Sequence, residues 1–117
     1  MHVEKLKYII WAADLPRALR FYHSVFDAQI LRQSDVIAEL SIAGSILGIH
    51  SGGEGKPTWT GLSFQVADLF LACDALRAAG GTILRPPEDT PDEPAHLAMC
   101  RDPEGNEIML TRPRPRD

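Results

Sequence analysis

The alternation of apolar and polar residues predicts the same pair of elements twice along the chain. A strand at Lys7–Ala12 leads into a helix whose apolar residues recur on one face over Leu15–Phe26. A second strand at Leu62–Val66 leads into a second helix, which begins at Leu69 and is closed by Gly80-Gly81. Each half of the chain is therefore expected to begin with a strand followed by a helix.

The residues that precede the two helices mark an internal repeat. Ala13-Asp14-Leu15 aligns with Ala67-Asp68-Leu69 at an offset of 54 residues, and Asp14 is a favourable N-cap. The same offset aligns Ile30-Leu31 with Leu84-Arg85 in the strand that follows each helix. Three shorter strands are expected after each helix: Ala28–Gln33, Val36–Ala43 and Ser45–His50 in the first half, and Thr82–Arg85, His96–Arg101 and Asn106–Thr111 in the second.

The repeat predicts one α+β domain made of two βαβββ modules, at about 1–56 and 57–111, with a short Arg-Pro tail at 112–117. The segment Ser51–Pro57 contains three glycines and is expected to be a flexible linker between the modules. Each module is too small to close a core comfortably alone. The two modules are therefore expected to share one core.

Composition and charge exclude several classes of protein. With 44% hydrophobic and 24% charged residues, the chain resembles soluble globular proteins. It contains neither an apolar run long enough to span a membrane nor a signal-like N-terminus, so a cytoplasmic protein is expected. A net charge of −4 argues against a nucleic-acid partner. Cys73 and Cys100 are expected to be free, buried thiols.

Two motifs connect the chain with a known family. One comprises Asp14-Leu15, Phe21-Tyr22 and Phe26-Asp27, and the other comprises Asp102–Asn106 followed by Ile108–Leu110. They resemble the first helix and the C-terminal signature of the vicinal oxygen chelate (VOC) superfamily. This group includes glyoxalase I, extradiol dioxygenases, fosfomycin-resistance enzymes and bleomycin-resistance proteins. The resemblance, over about residues 3–111, implies eight strands in two mixed, incompletely closed sheets around a cup.

The resemblance also implies four positions at which metal-binding members carry their ligands. In this chain they are Lys7 and Gly61 on the first strands of the halves, and Gly48 and Met109 on the last strands. Glycine has no side chain to ligate a metal, the lysine cation repels it, and a thioether is a soft donor. We therefore predict neither a metal nor another cofactor. The two glycines are expected to deepen the cup.

If these positions face the cup, strand alternation predicts its other lining residues. Trp11 is the best aromatic anchor, although a packing or subunit contact fits it equally. His50 is the side chain best suited to act as a base, unless it is merely a solvated residue at a strand end. Glu107 is expected to pair with Lys7 across the cup. The predicted ligand-binding residues are Lys7, Trp11, His50, Trp59, Ser63, Gln65 and Met109.

This partly apolar lining suits a small hydrophobic or aromatic molecule. The resemblance to antibiotic-resistance members implies a non-catalytic binding protein that forms a homodimer, and the acidic chain would suit a cationic, bleomycin-like ligand. The alternative is a lyase, isomerase or oxygenase of the glyoxalase or dioxygenase type, with His50 and Glu107 as its catalytic residues. A third hypothesis is a vestigial cup that serves assembly alone.

Overall fold

Eight strands and two helices follow one another in the predicted order over residues 1–113, which are the residues that the computed structural model describes. They are β1 (Tyr8–Ala12), α1 (Leu15–Phe26), β2 (Gln29–Gln33), β3 (Ile37–Ile42), β4 (Ser45–Ser51), β5 (Thr58–Gln65), α2 (Leu69–Ala78), β6 (Thr82–Arg85), β7 (Leu97–Arg101) and β8 (Asn106–Thr111). Each half has the order βαβββ, so the predicted fold class is confirmed. Residues 114–117 of the predicted tail lie outside the described residues.

Each helix begins at the aspartate that the repeat singled out. The Asp14 side chain accepts a hydrogen bond from the backbone N–H of Arg17 at 3.1 Å. The Asp68 side chain accepts from two backbone N–H groups in the first turn of α2, at 3.0 and 3.1 Å. These caps satisfy donors that the helix itself leaves unpaired. Neither helix is long and apolar enough to cross a membrane, and this holds for residues 1–113.

The strands form two mixed four-stranded sheets, one from each half. Their strand orders are β1-β4-β3-β2 and β5-β8-β7-β6, and the first and last strands of each half pair in parallel. One face of each sheet is buried with the helices in a common core, where Ile10, Ile49, Ile108 and Leu110 are at most 2% exposed. We call the opposite face the open face. Its side chains include Ile9, Trp11, Arg32, Glu39 and His50 in the first sheet, and Trp59, Ser63, Arg85, Met99, Arg101, Glu107 and Met109 in the second.

The strand register shows which residues of the two halves are equivalent. Ile9 of β1 pairs with Gly48, and Ser63 of β5 pairs with Met109. Ile9 and Ser63 are related by the predicted offset of 54 residues. Gly48 and Met109 therefore occupy equivalent places on the last strands.

The strand after each helix departs from the predicted alignment by one residue. Arg32 pairs with Glu39 after a bulge in β2, and Arg85 pairs with Met99 after a bulge in β6. Ile30-Leu31-Arg32 is thus equivalent to Ile83-Leu84-Arg85, and the predicted alignment of Ile30-Leu31 with Leu84-Arg85 is wrong. The second half has one residue fewer between the start of its helix and this strand.

The segment between the halves is packed against both of them. The Gly53 N–H donates to the Ala12 carbonyl at 2.9 Å, and the Thr58 N–H donates to the Gly105 carbonyl at 2.8 Å. Gly105 lies directly against the Lys56 carbonyl, where a Cβ would overlap with it. The expectation of a free, flexible linker is therefore wrong, because backbone hydrogen bonds and close contacts fix this segment.

The turn between β7 and β8 joins the halves through buried hydrogen bonds. The Asp102 carboxylate accepts from the Tyr22 hydroxyl at 2.6 Å and from the Asn106 backbone and side chain at 2.9 and 3.0 Å. The fully buried Glu104 carboxylate accepts two hydrogen bonds from the Arg17 guanidinium, at 2.7 and 3.0 Å. The C-terminal motif thus has a structural role: it fastens the second sheet to α1.

Candidate functional site

Trp11 and His50 lie side by side on the open face of the first sheet. They are paired across β1 and β4, and their ring centroids are 4.3 Å apart. The His50 Nδ1 lies 2.6 Å from the Ser51 carbonyl oxygen, so Nδ1 is the donor and Nε2 of a neutral ring remains an acceptor. With 51% of Trp11 exposed, this pair presents an aromatic surface and one basic nitrogen to a ligand.

Lys7, Arg32 and Glu39 form an ion cluster on the same face. The Glu39 carboxylate lies 2.9 Å from the Lys7 Nζ and 2.6 Å from the Arg32 Nε. The hydrogen bond from Lys7, together with Arg32, lowers the pKa of Glu39 below its ordinary value, although burial opposes the shift. The predicted pair between Lys7 and Glu107 does not form, since Glu107 accepts from the Arg101 guanidinium at 2.7 Å.

A Glu39→Gln substitution is expected to reduce the dependence of stability on acid pH. Because the pKa of Glu39 is lowered in the folded state, its contribution is fully present above the ordinary value of 4.5 and is lost as the pH falls through the lower, folded value. The difference in unfolding free energy between wild type and variant should therefore shrink on acidification. Urea denaturation from neutral pH to about pH 3 measures it, and a difference that stays constant would contradict this role.

Two neighbouring methionines lie across the middle of the second sheet's open face. The register Ser63–Met109–Met99–Arg85 takes one residue from each strand, in the order β5-β8-β7-β6. Both methionines are partly exposed, and Arg85 is exposed at the sheet edge. Within residues 1–113, the Arg85 side chain has no hydrogen bond or ion pair. This face therefore combines a polarizable apolar surface with an unpaired cation.

A bulge in β5 alters one of the four positions that the family resemblance implied. Between Trp59 and Ser63, β5 has two residues more than the facing stretch of β8. Gly61 lies in this bulge with a φ of 74°, and a Cβ there would lie 3.6 Å from the Tyr8 hydroxyl. Gly61 is thus displaced from the ladder, and Trp59 is the residue that pairs with Glu107.

The space beside Gly48 is already filled. A Cβ at this position would overlap with the Ile9 side chain, which lies next to it on β1. The expectation that this glycine deepens the cup is thus wrong, since it accommodates Ile9 instead. Within residues 1–113, no three His, Cys, Asp or Glu side chains are grouped to hold a metal ion. The side chains at the four family positions do not fit a metal.

A cavity of about 1190 Å³ opens between the modules and adjoins the open faces. It is large enough for a drug-sized molecule. Three predicted site residues, Lys7, Ser63 and Gln65, line it together with Phe26 and Phe64, whose rings stack 3.9 Å apart. A second cavity of about 400 Å³ lies between Trp11 and the segment that joins the modules. The remaining predicted residues, His50, Trp59 and Met109, lie on the open faces beside these cavities.

The two cysteines are free and buried in the core, as predicted. Burial raises the pKa of Cys100 to about 12 and also raises that of Cys73. Both thiols therefore stay protonated at neutral pH and are poor nucleophiles. Neither belongs to the site on the open faces.

The chain is similar to known proteins in both sequence and fold. Residues 2–110 match the family described as the Glyoxalase/Bleomycin resistance protein/Dioxygenase superfamily. The chain belongs to this superfamily. Among its relatives is a probable lactoylglutathione lyase of Vibrio parahaemolyticus, which is 30% identical over an alignment that covers 83% of this chain and 81% of that protein. The resemblance predicted from the two motifs is confirmed.

Solved structures of other superfamily members have the same fold. A family enzyme from Burkholderia phytofirmans superposes with a TM-score of 0.74 at 21% identity, covering 91% of this chain and 95% of that one. A fosfomycin resistance protein from Listeria monocytogenes superposes with a TM-score of 0.78 at 16% identity, covering 97% and 95%. At these identities the likeness establishes the fold alone.

Proposed function

We propose that this superfamily member binds a small, partly apolar organic molecule on its open faces without the help of a metal ion. The observation that carries the proposal is the set of side chains at the family's ligand positions, which offers no suitable group of donors. The exposed indole of Trp11 beside His50 provides a surface for an aromatic group. The residues proposed to contact the ligand are Lys7, Trp11, His50, Trp59, Ser63, Gln65 and Met109.

Ligand binding is expected to change the fluorescence of Trp11. Titration of a small aromatic library, including a cationic glycopeptide, should give a saturable signal that falls most in Trp11→Phe and less in Trp59→Phe. At a concentration 100 times its dissociation constant, a true ligand should stabilise the protein by about 2.7 kcal/mol and raise its melting temperature. If no compound gives either effect, or if both tryptophan variants behave alike, the proposed site is wrong.

A second candidate is a lyase, isomerase or oxygenase, which the curated lactoylglutathione lyase relatives favour. In such an enzyme the His50 Nε2 would accept a proton, while Glu107 is already engaged by Arg101. Elemental analysis of protein prepared without chelator separates the two candidates. One divalent metal ion per chain would favour the metal-dependent enzyme, and activity of a metal-free preparation that is lost in His50→Ala would favour a metal-independent one.

We also infer a homodimer that acts in the cytoplasm. The chain is elongated, at 48 × 36 × 22 Å with a radius of gyration of 14.8 Å, against about 13 Å for a compact domain of this length. Apolar Leu6, Ile30 and Leu31 are 48–91% exposed, which favours a subunit contact. The two free thiols suit a reducing compartment. Light scattering should give twice the chain mass of 12.9 kDa, and a monomer at micromolar concentration would contradict this inference.

A further inference from the structure

The open faces carry positive charge although the chain as a whole is acidic. All the charged residues of the eight strands in residues 1–113 lie on these faces, and Lys7 joins them just before β1. The cations are Lys7, Arg32, Arg85 and Arg101, and the anions are Glu39 and Glu107, a balance of four to two. The whole chain has a net charge of −4. This local balance opposes the cationic ligand that the overall charge suggested.

Two equivalent arginines, one in each half, have different neighbours across the sheet. Arg32 on β2 and Arg85 on β6 each follow a bulge and each pair with the neighbouring strand. The partner of Arg32 is Glu39, whose carboxylate lies 2.6 Å from its Nε. The partner of Arg85 is Met99, which has no charge to offer. The repeat therefore neutralises one arginine and leaves its equivalent unpaired among the described residues.

We propose that Arg85 binds the acidic group of the ligand, so that the molecule bound on the open faces is an amphipathic anion such as an aromatic carboxylate or sulfonate. This inference rests on the proposed function and specifies the class of ligand. The planar guanidinium offers several N–H donors in the geometry that carboxylate and sulfonate oxygens accept. Arg85 is not among the binding residues predicted from the sequence.

The rest of the same row suits the apolar part of such a molecule. Met99 and Met109 lie between Arg85 and Ser63 on the adjacent strands. Thioether side chains adapt their shape and contact aromatic rings favourably. Three strand spacings separate the ends of this row, about 14 Å in all, which is room for a fused aromatic ring system lying flat across the sheet.

Two fluorescent probes test the proposal, because they share one ring system and differ in charge. The anion 1-anilinonaphthalene-8-sulfonate and the neutral N-phenyl-1-naphthylamine are titrated into the folded full-length chain. Arg85→Gln should weaken binding of the sulfonate about tenfold, the usual size of a lost charge-assisted hydrogen bond, and change binding of the neutral probe less than about twofold. Added salt should weaken sulfonate binding to wild type more than to the variant.

A second variant keeps Arg85 but pairs its guanidinium with an introduced carboxylate. Met99→Glu places beside Arg85 the carboxylate that Arg32 already has in Glu39. It should therefore weaken sulfonate binding more than Met99→Gln does, because Met99→Gln removes the same thioether without adding a charge. Arg77→Gln, on the exposed side of α2, is the matched control and should leave both probes unaffected. The assignment would be overturned if Arg85→Gln weakened binding of both probes equally or weakened binding of neither. It would also be overturned if Arg32→Gln, and not Arg85→Gln, weakened binding of the sulfonate. If neither the sulfonate nor the neutral probe binds the wild-type protein, the proposed function is wrong as well.

Discussion

Gly105→Ala is expected to lower the free energy of unfolding by about 2 to 5 kcal/mol, from left-handed strain and overpacking together. Gly105 has a φ of 93°, which L-residues adopt only at a cost. A Cβ would also overlap with the Lys56 carbonyl and lie 2.7 Å from the Gly55 carbonyl oxygen. Both obstacles are backbone, so no side chain can rotate away to relieve them. Urea denaturation followed by circular dichroism measures the loss.

The chain supplies a matched control for this substitution. Gly52 has the same φ of 93°, but nothing lies within 4 Å of a Cβ built on it. Gly52→Ala therefore tests the backbone strain alone, and we expect it to cost about 1 to 2 kcal/mol. The difference between the variants isolates the contact between the turn and the joining segment. Equal losses in the two variants would mean that this contact contributes nothing.

Asp102→Ala is expected to lower the free energy of unfolding by about 3 kcal/mol, because it leaves several buried donors without an acceptor. The carboxylate accepts from the Tyr22 hydroxyl, from Asn106 and from the Glu104 N–H, and Asp102 is only 3% exposed. Burial raises the pKa of Asp102 even though these hydrogen bonds lower it. Part of the stabilisation from the hydrogen bonds therefore only offsets the cost of burying the charge. At about 4 °C per kcal/mol, the melting temperature should fall by more than 10 °C.

Two further variants show whether the loss of stability comes from breaking the hydrogen bonds around Asp102 or from removing any aspartate. Tyr22→Phe removes one donor and leaves the others paired, so it should cost about 1 to 2 kcal/mol. Asp35→Ala changes an exposed aspartate in the turn before β3 and should stay within about 0.5 kcal/mol of wild type. A loss in Asp102→Ala no larger than that in Asp35→Ala would show that the turn does not fasten the second sheet to α1.

The elements of this fold were predictable because their signals are local. Asp14 and the periodic apolar face of α1 specify the start and buried side of that helix within one short stretch of sequence. Alternation likewise places Trp11 on the face opposite Ile10. The equivalent aspartate in the second half, Asp68, then predicts the same order of strand and helix there. Such signals need no knowledge of which strands are neighbours.

The charged part of the site was not predictable, because it depends on register between strands. No local pattern marks Glu39 on β3 as a site residue, although it binds both Lys7 and Arg32. The bulge in β5, which displaces Gly61, is equally invisible to strict alternation. One signal was available: the tripeptide Ile-Leu-Arg occurs at both 30–32 and 83–85. A search at an offset of 53 residues would have identified Arg85 as the equivalent of Arg32.

The bulges in β2 and β6 have a consequence for solubility. Both strands lie at the outer edges of their sheets, where unpaired backbone groups invite another chain to add a strand. Every residue of β2 is exposed, including the apolar Ile30 and Leu31. In each strand, however, the bulge interrupts the regular spacing and is followed at once by an arginine. The irregular edge and its charge hinder the stacking of one molecule on the next that would otherwise lead to fibrils.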